Sequence, residues 1–257
     1  MLNLIVIKAL VAGLLASLAC GLGALPLAFK RIDPSRHTGL GYAFAGGLMF
    51  SASVYNLILP GLTMKGGAMT LSNVLPVLGG IMLGGVFLWW ADHYFSAERL
   101  ERNGWKKWGS RKEILIFVAM SLHSIPEGVA VGVGYASEPI YDTRLGHYIA
   151  LAIAIHNIPE GLAVAIPLRA GGSSIRRCFV AAFLTSLPQP IAAVPASVIA
   201  WFFQPLMPLL MGFAAGAMIF LVMLEMLPDA MSQERPIRIA WAFTIGFCLM
   251  LLIQVLL

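Results

Sequence analysis

The sequence predicts an all-α integral membrane protein, a bundle of eight transmembrane helices, on three observations. Only 11% of the 257 residues are charged and the mean hydropathy is +0.85, whereas soluble domains carry about a quarter charged residues. Apolar runs recur that match the roughly 20 residues needed to cross a hydrocarbon core. Those runs are continuous and contain embedded Gly, instead of alternating in the short segments of about 10 residues that transmembrane strands require.

The elements follow in chain order. A first span at 3–29 is too long for a cleavable signal and lacks a small-residue cleavage site, so it is expected to stay as a helix. The second, 38–64, carries no charge and is followed by the turn-like KGGAMTLSN. The third, 74–95, ends in WWADHYF, whose aromatic rings suit the membrane–water interface. Spans four and five, 114–136 and 145–168, hold a repeated polar motif. The charge-free stretch that follows is too long for one helix and is interrupted by FFQPLMP, giving spans at 178–203 and 206–230. The eighth closes the chain at 237–257, and residues 1–257 read as a single transmembrane domain.

Of the 17 Lys and Arg, all but Lys8, Lys65 and Arg144 fall in the first, third, fifth and seventh loops. The positive-inside rule therefore predicts both termini outside the cytoplasm, and the membrane is expected to be the plasma (cell inner) membrane. The net charge of +5 is this topology signal; no soluble domain interleaves basic and aromatic residues, so no nucleic-acid partner is expected. Cys20, Cys178 and Cys248 stand singly inside spans, without metal-type spacing, and read as apolar filling.

The chemistry is concentrated at HSIPEGVAV, from His123, and HNIPEGLAV, from His156, which differ at only two positions, Ser124/Asn157 and Val129/Leu162. In each copy His and Glu are four residues apart, so one helix face presents both. Charged groups deep in a bilayer are costly unless paired, hydrated or metal-bound. Two glutamates brought together would repel without a cation between them. His123, Glu127, His156 and Glu160 would together give a divalent ion two nitrogens and two carboxylates, a set suited to Zn²⁺, Fe²⁺, Mn²⁺ or Co²⁺ and unsuited to Mg²⁺ or Ca²⁺. Pro126 and Pro159 each remove a helix donor, which predicts that helices four and five are broken at the motifs. Gly128 and Gly161 should allow close helix approach. No HExxH, GxSxG or Walker-type loop is present.

The eight spans, the basic third loop and the HSIPEG and HNIPEG motifs resemble the ZIP (Zrt/Irt-like) divalent metal transporters. The resemblance covers the chain in topology and is most specific in spans four and five. It implies movement of zinc, or of iron, manganese, cobalt or cadmium, toward the cytoplasm by alternating access, with the metal as cargo and no cofactor. It also implies a second metal position beside the first, at Ser124, Asn157 and Gln189. Those three neutral groups bind a dication poorly, so this position is expected to be weak or vacant. Glu225, in LVMLEMLPDA at the end of a charge-free stretch that begins at Cys178, resembles an acidic position on the cytoplasmic part of the route; an interfacial glutamate reaching water is the other reading. Asn56, in SASVYNLILPG, either touches the metal path or bonds a neighbouring helix. His147 reads as an exposed side chain near the outer mouth. Small-residue faces such as GLGYAFAGG suit a homodimer contact. A metal-dependent intramembrane enzyme and a non-transporting metal sensor remain as alternative readings, each compatible with a buried His/Glu site.

Overall fold

The computed structural model describes residues 1–28, 38–63, 71–94, 111–141 and 144–256. Its regular elements are all helical: α1 (Leu2–Leu22), α2 (Thr38–Ala52), α3 (Leu59–Thr63), α4 (Leu71–Tyr94), α5 (Arg111–Tyr141), α6 (Leu145–Ala170), α7 (Ile175–Thr185), α8 (Pro188–Phe202), α9 (Met207–Leu221), α10 (Leu227–Gln233) and α11 (Pro236–Leu256). Two π-helical segments, Ser53–Ile58 and Val222–Met226, join α2 to α3 and α9 to α10. The all-helical membrane bundle is therefore as expected. Among the described residues, seven helical stretches are long and apolar enough to cross a membrane: Leu2–Ala28, Gly39–Thr63, Val74–Ala91, Leu145–Ile166, Ile175–Phe202, Gln204–Gln233 and Pro236–Ile253. The first motif lies on α5, which at 31 residues reaches about 46 Å at 1.5 Å per residue. The basic loops holding Lys30, Arg31, Arg36 and Arg99 to Lys107 lie outside the described residues.

Large apolar side chains cover the outside, among them Leu15, Leu75, Met82, Ile191, Trp241 and Ile245. In water such a surface would drive association; facing lipid it needs no partner. Trp89, Trp90 and Tyr94 are exposed at the end of α4, where interfacial aromatics belong.

The helices sort into two groups by their packing. One holds α1, α5, α6, α7 and α8; the other holds α2, α3, α4, α9, α10 and α11. Within each group glycines admit a neighbouring backbone: Gly128 lies against Gln189, Gly161 against Cys20, Gly212 against Val77 and Gly246 against Phe44. Each close glycine contact among the described residues stays inside one group. Between the groups, α9 lies on α5 and α2 on α6, and no close glycine contact among the described residues crosses this seam.

One expectation needs correction. Helices four and five are not broken at their motifs: α5 runs continuously through Pro126, and α6 through Pro159. A proline removes one hydrogen bond, and a helix held by tertiary packing on both sides of the gap tolerates that loss. The irregular backbone lies elsewhere. The π segments precede Pro60 and Pro228, and the span from Ile175 turns at Ser186 and Leu187, just before Pro188.

Candidate metal centre

The motif glycines set the position of the acids that precede them. A Cβ at Gly128 would strike the Gln189 carbonyl, and one at Gly161 the Cys20 carbonyl. Their absence lets α5 settle on α8 and α6 on α1. Glu127 and Glu160, each one residue before its glycine, are thereby carried into the interior, where both are buried.

Ligand atoms of Glu127, His156 and Glu160 lie within 4.8 Å of one another. Donors bound to one tetrahedral Zn²⁺ at about 2.1 Å would be about 3.4 Å apart, so little contraction separates this arrangement from coordination. The histidine is oriented by its own helix: His156 Nδ1 donates to the Ala152 carbonyl at 3.0 Å. In the neutral ring that leaves a lone pair on Nε2, which faces Glu127 Oε1 at 3.0 Å. Two acceptors at that distance need a proton or a cation between them. The second carboxylate oxygen, Glu127 Oε2, is buried without a hydrogen-bond partner. A buried carboxylate oxygen left unsatisfied beside a second glutamate is strongly unfavourable, and a dication relieves both problems together.

His123 departs from the expected four-donor set. Its Nε2 sits 3.2 Å from Glu225 Oε1, on the opposite helix group, and it is not among the clustered donors. The physical cause is the charge-assisted hydrogen bond that the Glu225 carboxylate offers. The second-position residues are engaged with protein atoms in part, Asn157 Oδ1 and Gln189 Nε2 being buried without a hydrogen-bond partner. Asn157 Nδ2 donates to the Ala16 carbonyl at 3.0 Å and to Gln189 Oε1 at 3.2 Å, and Ser186 Oγ donates to the same Gln189 oxygen at 3.0 Å. Ser124 Oγ donates to the carbonyls of Met120 and Thr185. Asn56 bonds no neighbouring helix: it is fully buried, and neither Oδ1 nor Nδ2 has a hydrogen-bond partner.

Sequence reasoning did not single out Ser17, Thr185 or Ser186, through which α1, α5 and α6 are tied to the end of α7 and the turn that follows it. Isolated serines and threonines in apolar spans carry no signal until tertiary contacts exist. It also passed over Glu138. That carboxylate takes Lys8 Nζ at 3.3 Å on one oxygen and His147 Nδ1 at 2.7 Å on the other, so the exposed His147 is partnered.

These features define a multi-pass helical membrane protein with a buried carboxylate–imidazole group of the kind that holds a divalent metal. The chain belongs to the ZIP zinc transporter family: the family profile described as "ZIP Zinc transporter" matches residues 105–254. It is a transporter, not an enzyme. It is 34% identical over 250 residues to "Zinc transporter GufA" of Myxococcus xanthus, covering 93% of this chain and 96% of that protein. It is 34% identical over 240 residues to "Zinc transporter ZIPB" of Bordetella bronchiseptica, covering 92% and 77%. Other relatives are longer: the chain spans 47% of human "Zinc transporter ZIP11", at 37% identity over 165 residues and 62% of this chain. It spans 35% of an Arabidopsis thaliana relative that is 36% identical over 232 residues, 89% of this chain.

Proposed function

We propose that this chain moves divalent transition-metal ions, zinc first, across the plasma (cell inner) membrane toward the cytoplasm. In this reading residues 1–257 form one transmembrane domain of eight spans with both termini outside the cytoplasm. The metal is cargo and the chain needs no resident cofactor. Glu127, His156 and Glu160 hold the ion. The carrying observation is the His156 Nε2 lone pair set 3.0 Å from a buried carboxylate oxygen, an arrangement that a cation satisfies. Membership of a family whose relatives are named zinc transporters supports zinc as the cargo.

The route runs along the seam. Asn56, with both amide atoms buried and unpartnered, offers an oxygen to a passing ion or its water. Glu225, 34% exposed, stands between the buried cluster and water. The two helix groups, with no close glycine contact between them among the described residues, suit alternating access in which one group shifts against the other. The position at Ser124, Asn157 and Gln189 is weak or vacant, because it offers a dication no charged donor of its own and Gln189 Oε1 already accepts from Asn157 and Ser186. A homodimer and the surrounding lipid are the remaining partners in this proposal.

Uptake of radioactive zinc into liposomes containing the purified chain tests it. Active protein should accumulate zinc above protein-free liposomes, and His156→Ala and Glu160→Ala should each reduce uptake to that background. A chain that binds zinc and moves none would instead be a sensor.

A further inference from the structure

Between described residues, the hydrogen bonds and ion pairs of side chains stay inside one helix group or the other, with one exception. His123, on α5, meets Glu225, on the π segment between α9 and α10, with Nε2 3.2 Å from Oε1. A carboxylate can only accept, so the Nε2 atom carries the hydrogen. The other ring nitrogen, Nδ1, is buried and has no hydrogen-bond partner. In the neutral ring, with its hydrogen on Nε2, Nδ1 carries the lone pair. The ring is thus a ligand in waiting, one helical turn from Glu127.

We propose that Glu225 is a positioning residue for the metal site. From the opposite helix group it fixes the tautomer of His123, keeping Nδ1 free to join Glu127, His156 and Glu160 around the ion. A carboxylate holding the far N–H of a metal-binding histidine also raises the basicity of the ligating nitrogen. Because this partner lies across the seam, the support lasts only while the two groups keep their present register. Any shift of α9 and α10 against α5 withdraws Glu225, loosens His123 and lowers the affinity of the site. Metal affinity is thereby tied to the conformation of the whole bundle. The inference rests on the reading that Glu127, His156 and Glu160 hold the ion.

The test is zinc binding to the purified full chain, with cobalt absorption as a second readout. Glu225→Ala should weaken zinc binding about ten-fold, the lower end of what loss of such a partner does elsewhere. Glu225→Gln should retain part of the affinity, because its amide oxygen still accepts the N–H. In a His123→Ala background, Glu225→Ala should change nothing further, and the cobalt spectrum of Glu225→Ala should move toward that of His123→Ala. The proposal is overturned if Glu225→Ala leaves affinity unchanged, or if it costs as much without His123 as with it. The second result would make Glu225 a ligand or a source of field alone. Should Glu160→Ala leave zinc binding intact, the failure lies with the underlying site and removes the basis of this inference as well.

Discussion

At the scale of single residues, the binding group is a balance of like charges and unsatisfied lone pairs. Glu127 and Glu160 repel each other, and His156 presents a lone pair to a carboxylate. A proton and a metal ion compete for that position. Lowering the pH should therefore weaken zinc binding, since each donor must be free of its proton to ligate. Isotherms recorded from neutral to mildly acidic pH check this, and a flat profile would count against these ligands. The neighbouring amides lead to a stoichiometry. Gln189 Oε1 is already taken by Asn157 and Ser186, so the unmodified chain should bind one zinc per molecule at saturation. A measured count of two would show that the amides yield to a second ion. The repeated His, Pro, Glu and Gly spell out the identity of the donors in the sequence. The sequence does not reveal that His123 pairs with Glu225, because that partner lies more than a hundred residues further along.

At the scale of elements, the motif glycines act as docking surfaces. A side chain at Gly161 would meet the Cys20 backbone, which cannot rotate aside, whereas nothing lies within 4 Å of a side chain at Gly79. Gly161→Val should destabilise the protein by about 1–3 kcal/mol, as overpacking of a filled interior does. Gly79→Ala should leave the melting temperature close to that of the parent, and thermal unfolding in detergent compares the two. Span positions were legible because hydropathy reports burial in lipid directly. Backbone irregularity was less so. Prolines in the motifs suggested breaks there, yet packing on α1 and α8 carries both helices through. The wider π turns arise instead beside Asn56 and Glu225, where such turns often accompany function.

At the scale of the molecule, two glycine-packed groups meet where α9 lies on α5 and α2 on α6, the two helices that carry the candidate ligands. That division rests on which helices touch, a property that no local pattern in the chain encodes. Movement of an uncompensated dication across the bilayer would be driven by the membrane potential, by about 2.3 kcal/mol per charge per 100 mV. An inside-negative diffusion potential should accordingly raise the initial rate of zinc entry into liposomes; an unchanged rate would point to compensating proton movement. The account as a whole depends on a dication seated among Glu127, His156 and Glu160. Zinc-edge X-ray absorption of the loaded protein tests this most directly. The expected spectrum has an inner shell of nitrogen and oxygen at about 2.0–2.2 Å, with imidazole scattering reduced in His156→Ala. A sulfur shell, or a spectrum indifferent to the loss of His156 and Glu160, would contradict it.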